Sequence, residues 1–259
     1  KEFTGTYGTN GFYLKFEDAS NIGLDSSGRG NDWTANYLSS TAGAGNDLLD
    51  DTPGAPYDNG FNGGGNYCTL HPVSTGGVTL SNGNLTAYTA SNGTTGPAGT
   101  IAVSSGKWYW ENTVVGSSIG TTVIGVYGAS DEIGTYPGGA ASGYGYYADG
   151  SKMNNGGVSY GDTYAGGDII GVALDLDNGT ITFYKNGTSQ GTAFTGLTGS
   201  FVPGVRPGAA ANPGTVHVNF GQRPFNYTNA GVDRPAADYL SLNTYNLDAP
   251  LIVDPSKHI

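Results

Sequence analysis

Glycine interrupts this chain so often that long helices are excluded from most of it. Of its 259 residues 46 are Gly, about 18% against a usual value near 7%. Inside a helix each glycine costs about 1 kcal/mol relative to alanine. In a turn it supplies the positive φ that other residues reach only under strain. Between the glycines lie short runs rich in Val, Ile, Thr, Tyr and Phe, the residues that suit a pleated, half-buried surface. These runs predict strands at Phe12–Phe16, Asn66–Leu70, Thr100–Val103, Trp108–Val115, Thr122–Val126, Gly143–Tyr147, Ile169–Leu176, Thr180–Lys185, Ser200–Val205 and Val216–Phe220. Many short strands separated by Gly, Asn, Asp and Ser predict an all-β sandwich or barrel. The one helical expectation is a turn or two over Pro235–Leu242.

The sharpest local signal runs from Ile169 to Gly187. Asp177-Asn178-Gly179 carries the residues a type I′ hairpin turn demands, because both central positions of that turn need positive φ. On the exit strand Ile181 and Phe183 alternate with Thr180, Thr182 and Tyr184, which sends one face to a core. Asn186-Gly187 then reverses the chain again. By the same alternation Trp108 and Trp110 share a face and predict core packing. Tyr144 and Tyr146 share another, and Tyr147 points the opposite way.

Composition removes several function classes. Ten basic residues against 21 acidic ones give a formal net charge of −11, the wrong sign for gripping phosphates, so no nucleic acid is expected. Cys68 is the only cysteine, which rules out a disulfide framework. No apolar run reaches the roughly 18 residues a membrane helix needs, and no membrane insertion is expected. The chain opens at Lys1 with no charged-then-apolar leader. Gly lacks a three-residue period, which excludes collagen. The 37% hydrophobic content is clustered well enough to build a core.

Catalytic constellations are thin. No G-x-S-x-G elbow, HExxH or P-loop occurs. His217 sits between Val216 and Val218 on a predicted strand, as a satisfied, partly buried imidazole would. Glu111 is the one carboxylate on a strongly predicted strand, but no compact Glu-x-Asp-x-x-Glu pattern accompanies it, and the chain is read as a non-enzyme. Asp18, Asp25, Asp32, Asp47, Asp50 and Asp51 fit no EF-hand spacing. Asx turns account for them; Asp25 and Asp32 remain the candidates for a bound Ca²⁺, and no other cofactor is expected.

Several segments, in order, resemble a SPRY domain. They are Gly106-Lys-Trp-Tyr-Trp-Glu, Ile124-Gly-Val-Tyr, Gly143-Tyr-Gly-Tyr-Tyr-Ala-Asp-Gly-Ser-Lys, Gly167 through Gly187, Phe201-Val-Pro-Gly-Val and Val216-His-Val-Asn-Phe-Gly. The resemblance implies a concanavalin-like jelly roll of SPRY type, an antiparallel two-sheet β-sandwich. It also implies contact with partners through loops at one end, for which Tyr136, Tyr160 and Tyr164 are the candidates. A second resemblance covers the first 75 residues. Phe3 through Asp18, Asp25-Ser-Ser-Gly-Arg-Gly-Asn-Asp-Trp-Thr and Asn66-Tyr-Cys-Thr-Leu-His-Pro are similar to tailed-phage structural proteins, and the Asp25–Trp33 run is similar to LamG-type lectin domains, some of which hold Ca²⁺. This similarity implies a leader at 1–75 integrated into the sandwich, a core at 76–228 and an extension at 229–259, with Trp33 pinning the leader. It further implies a non-enzymatic virion module at the phage surface, a tail fibre, spike or head appendage. Its partners would be other virion proteins or host-surface glycan or protein, and it would be a homo-oligomer, by preference a trimer. Two alternatives stand beside it: a polysaccharide-degrading tailspike, and a protein-interaction SPRY domain of a cellular protein.

Overall fold

Turns made at positive φ set where each strand ends. The computed structural model describes residues 5–15, 18, 20–36, 66–72, 77–89, 95–116, 120–129, 134–208, 213–227 and 238–247. Among them are thirteen strands: β1 (Thr79–Ser81), β2 (Thr86–Thr89), β3 (Lys107–Val115), β4 (Val123–Gly128), β5 (Tyr144–Tyr147), β6 (Ser151–Met153), β7 (Gly157–Ser159), β8 (Ile169–Asp175), β9 (Thr180–Lys185), β10 (Thr188–Thr195), β11 (Phe201–Arg206), β12 (Gly214–Asn219) and β13 (Leu240–Ser241). The excursion expected at residues 42–65, with Asp47, Asp50 and Asp51, and the tail at 251–259 lie outside the described residues.

The strands form two sheets, as the all-β sandwich reading requires. The larger runs β1-β2-β12-β3-β8-β9-β10, and the smaller runs β11-β4-β5-β6-β7. All pairings are antiparallel except that of β13, which lies parallel to β3 with Leu240 opposite Trp108. Trp108, Trp110, Val114, Ile124, Val126, Tyr146, Ile170, Val172, Leu174, Ile181 and Phe183 belong to one buried cluster between the sheets. The alternation read for Trp108 and Trp110, and for Ile181 and Phe183, therefore holds.

The outer face of the large sheet is also covered. Tyr109, Ala173 and Phe225 make a second buried cluster there, with the Tyr109 and Phe225 rings 5.0 Å apart, edge to face. Gly171 makes room for it, since a Cβ at that position would stand 2.4 Å from Tyr109 Oη.

The primed turn falls one reversal later than the hairpin signal places it. Asn186 (φ 49°) and Gly187 (φ 78°) form the two-residue positive-φ turn, closed by the Lys185–Thr188 pair. At Asp177-Asn178-Gly179 only Gly179 is at positive φ. There Asp175 pairs with Thr180, and Asn178 N–H donates to Asp175 Oδ1 at 2.9 Å, which builds a longer loop. Replacing Gly187 by Ala should cost roughly 1–2 kcal/mol from the left-handed backbone alone, and its Cβ would meet Tyr227 Cδ1 at 2.7 Å. Chemical denaturation checks this against an Asn186→Gly control that keeps the turn.

Three sequence expectations are corrected. The described part of Phe12–Phe16 supplies only the single bridge Leu14–Asp25, and Asn66–Leu70 and Thr100–Val103 enter through isolated bridges. In the described part of 235–242 there is a strand, β13, because Leu240 and Ser241 fill the lane beside the start of β3 that β12 leaves open. Trp33 packs on Phe12, centroids 4.8 Å apart, and stays 54% exposed, so it does not act as a pin.

Candidate functional site

The outer face of the small sheet carries a stripe of glycines. Gly204, Gly125 and Gly145 are in register across β11, β4 and β5. Without side chains there, the β4–β5 loop can lie directly on the strands. Pro137 O would stand 2.2 Å from a Cβ at Gly145, and Pro137 Cγ 2.9 Å from one at Gly204. The loop is then tied at both ends. Tyr127 Oη donates to Thr135 O at 3.2 Å, and Asn155 N–H donates to Gly138 O at 2.9 Å. Asn154 Nδ2 adds bonds to Ala141 O and Gly143 O at 2.7 and 2.8 Å.

That packing puts Tyr136 beside Tyr147, ring centroids 6.3 Å apart and nearly perpendicular. Behind both rings lies the Arg206 guanidinium, 4.2 Å from the Tyr136 centroid and 5.4 Å from that of Tyr147. Arg206 is buried; its Nε and Nη2 donate to Thr121 O at 3.0 and 2.8 Å, and Nη2 also to Tyr147 Oη at 3.0 Å. Cation–π contact is strongest where the cation is desolvated, and here it fixes the orientation of two rings. The rings wall an open groove of about 550 Å³ that continues over Asp149, Ser151 and Met153 to β7, reaching Gly157, Val158 and Ser159.

Of the three loop tyrosines proposed from the sequence, the structure brings only Tyr136 to this groove. Tyr160 is half-buried at the joint between the sheets. Its hydroxyl donates to Gly191 O and accepts from Phe183 N–H, and burial pushes its pKa up to about 12. Tyr164 is buried and donates to Tyr146 O and Thr122 O at 2.9 and 3.0 Å, which leaves no face of it for a partner. The missed residues are Arg206, Asp149 and β7. The outward orientation read for Tyr147 was the one signal that pointed here.

Asp25 and Asp32 are engaged with the backbone. Asp25 Oδ1 accepts from Tyr13 N–H and Ser27 N–H, and Oδ2 accepts from Asn31 N–H and Ser27 Oγ. Burial would raise its pKa, but these hydrogen bonds outweigh burial and hold it well below the usual carboxylate range. Asp32 Oδ1 accepts from Asp25 N–H at 2.8 Å. This is the Asx-turn arrangement, with both Asp25 oxygens already in use. His217 is half-buried with Nδ1 2.8 Å from Thr86 Oγ1, as its strand position predicts, and burial lowers its pKa.

Glu111 faces away from the groove, on the outer face of the large sheet beneath residues 225–227. One of its oxygens accepts from Asn226 N–H and Nδ2, and the other from Tyr227 N–H and Tyr109 Oη. At 1% exposure it cannot meet a polysaccharide.

Comparison with known proteins finds a family resemblance in the central segment. The SPRY domain family model matches residues 107–223. Ran-binding protein 10 of Danio rerio is 36% identical over 130 residues, covering 48% of this chain and 21% of that protein. Human Ran-binding protein 9 is also 36% identical over 130 residues, covering 48% of this chain and 17% of its own length. Xenopus tropicalis Ran-binding protein 9 is 33% identical over 158 residues, 56% of this chain and 28% of that protein. This chain thus spans no more than 28% of the length of these relatives. Among solved structures, the SPRY domain of human HERC1 aligns with a TM-score of 0.49 at 23% identity, over 57% of this chain and 96% of that one.

These relatives overturn the virion reading. They are cellular vertebrate proteins, and nothing among the matches points to a phage origin or a phage leader. The expectations of a tail fibre, spike or head appendage, of virion partners, of a host-surface glycan, of a trimer and of location on a phage particle fall with it. The motifs at 1–75 misled because Gly-Asn-Asp turn chemistry recurs wherever a chain must reverse tightly.

Proposed function

We propose that this chain is a non-catalytic protein-interaction module that takes a segment of a protein partner in the groove walled by Tyr136 and Tyr147. The observation that carries the reading is the construction of the groove. A loop laid on a glycine stripe and an arginine stacked behind two tyrosines present rigid amphipathic rings at low entropic cost, a recurring feature of protein-recognition surfaces. The match of residues 107–223 to the SPRY domain family model supports the class. The names of the relatives make Ran the first partner to try. The burial of Glu111 supports the non-catalytic part.

The test is photo-crosslinking. p-Benzoylphenylalanine replaces Val158, which is 60% exposed at the groove, or Tyr88, 43% exposed on β2, and the chain is irradiated with purified Ran and separately with cell extract. Position 158 should give a discrete protein adduct and position 88 none. Tyr136→Ala should lower that yield roughly tenfold, the equivalent of about 1.4 kcal/mol. Equal labelling at both positions, or no protein adduct from position 158 with either source, overturns the reading.

A further inference from the structure

The four outer edges of the two sheets are not alike. The β10 edge carries register shifts between Ser189 and Thr192 and between Thr192 and Phe194, a usual way of spoiling an edge for pairing. The β11 edge is covered, with bridges from Ala98 to Gly204 and from Val103 to Phe201 and a bond from Gly99 N–H to Pro203 O. β1 is short and unbulged, but the groove does not reach it. β7 is unbulged and, among the described residues, uncovered; all three of its residues are exposed, and all three line the groove.

Register decides which groups β7 offers. Tyr160 N–H donates to Gly150 O and Asn154 N–H to Gly156 O, each at 3.1 Å. Those pairs are in phase with Lys152–Val158. In an antiparallel ladder, bonded and non-bonded pairs alternate, so Val158 turns its N–H and C=O to β6. Gly157 and Ser159 turn theirs away from the sheet, where no strand of the described residues meets them. Four backbone groups thus point outward along this edge in strand geometry.

Charge selects what fits beside them. Asp149 lines the groove and is exposed, and its Oδ1 accepts only from Ser151 N–H and Oγ, at 2.9 and 2.5 Å. Asp162, also exposed, adjoins it: a Cβ at Gly150 would stand 3.4 Å from Asp162 C. Neither carboxylate has an ion pair among the described residues. Lys152, the cation nearest in sequence, points to the opposite face, donating to Ala193 O at 2.6 Å over the Phe194 ring. Arg206 is buried behind the tyrosines, and the whole chain carries −11.

We propose that β7 accepts an extended segment of a partner protein as an added strand, with a Lys or Arg of that segment set against Asp149 and Asp162 at the Ser159 end. Main-chain bonds to Gly157 and Ser159 supply the affinity and the acidic end supplies the selection, the division of labour of strand addition at a sheet edge. This rests on the interaction reading above and names its partner chemistry.

The experiment is a titration of the ¹⁵N-labelled full chain with three acetylated, amidated peptides: Thr-Val-Lys-Val-Thr, the same peptide with Glu for Lys, and the Lys peptide N-methylated at alternate residues. The Lys peptide should bind saturably, shift the Gly157 and Ser159 amides and slow their hydrogen exchange at least fivefold. The Glu peptide should bind about tenfold more weakly or worse, because like charge is set against like. The N-methylated peptide should not bind. Ser159→Pro removes an outward N–H while keeping the Val158 bonds to β6, and it should abolish the Lys-peptide shifts with the remaining amide spectrum intact. If that variant unfolds, the N-methylated peptide carries the same test. Equal binding of all three peptides, or no shift on β7 at millimolar Lys peptide, overturns the proposal. Crosslinking at position 158 together with N-methyl-insensitive binding would sink strand addition alone. Absence of any protein adduct would sink the interaction reading itself.

Discussion

Replacing Glu111 by alanine is expected to cost the fold about 3 kcal/mol or more, since breaking a buried, hydrogen-bonded charge leaves its partners without an acceptor. The carboxylate accepts from two backbone N–H groups, Asn226 Nδ2 and Tyr109 Oη at 2.8–3.2 Å. These bonds hold residues 225–227 over the large sheet, with Phe225 against Tyr109. Arg223 is buried nearby, where burial lowers its pKa and Glu111 raises it, so the substitution also removes a favourable charge from its surroundings. Denaturant unfolding should show the loss as a lower midpoint, and exchange at Asn226 and Tyr227 should quicken first. Burial raises the Glu111 pKa, and the bonds from Asn226, Tyr227 and Tyr109 offset this only in part. A carboxyl whose folded pKa lies above its unfolded value contributes stability that is fully present below the unfolded value and lost as pH rises through the folded one. The stability of the wild-type chain minus that of Glu111→Gln should therefore grow as pH falls from neutrality toward the ordinary carboxylate value, then level off. A difference that shrinks toward acid would show that the bonds to the charged form outweigh its desolvation.

How much of this was legible depended on whether the information was local. The inner face of β3 was legible because alternation is a property of neighbouring residues, and Trp108 and Trp110 went where it sends them. So was the existence of the Ile169–Gly187 hairpin. Its turn types were not, because Asp175 pairs with Thr180 and its side chain bonds Asn178, a choice made by register. β6 and β7 escaped notice because Ser151–Met153 and Gly157–Ser159 carry little apolar content, and only the pairing of β6 with β5 and of β7 with β6 makes strands of them. The groove was partly visible in Tyr136 and in the outward orientation of Tyr147. Arg206 was not, since nothing in Gly204-Val205-Arg206 announces that its guanidinium will lie behind two rings from β5 and a loop. Tyr164 illustrates the converse: a tyrosine among Gly, Asp and Thr reads as a surface residue, yet the carbonyls of Thr122 and Tyr146 draw its hydroxyl inward. The phage resemblance failed for a related reason, because turn motifs report local backbone demands and carry no information about what the surface binds.

The glycine stripe gives the second large expected effect. Gly145→Val should destabilise the chain by about 3 kcal/mol, the upper range for forcing extra volume into a packed site. Its Cβ would stand 2.2 Å from Pro137 O and 2.8 Å from Val123 Cγ1. Val123 is in the core strand β4 and cannot retreat, so the loop must lift. As it lifts, Gly138 O withdraws from Asn155 N–H, and Tyr136 leaves both Arg206 and Tyr147. The substitution therefore couples two readouts that a merely local strain would separate. Unfolding should shift to lower denaturant, and the Asn155 amide should exchange faster even under conditions where the core amides of β3 and β8 remain protected. Crosslinking from position 158 should fall with them. Gly120→Ala is the control: it lies in the same groove with no heavy atom within 4 Å of its added Cβ, and it should leave stability within about 0.5 kcal/mol of wild type. If Gly145→Val loses stability while Asn155 exchange stays unchanged, the loop is not resting on the stripe. The tyrosine wall must then be held by Arg206 alone.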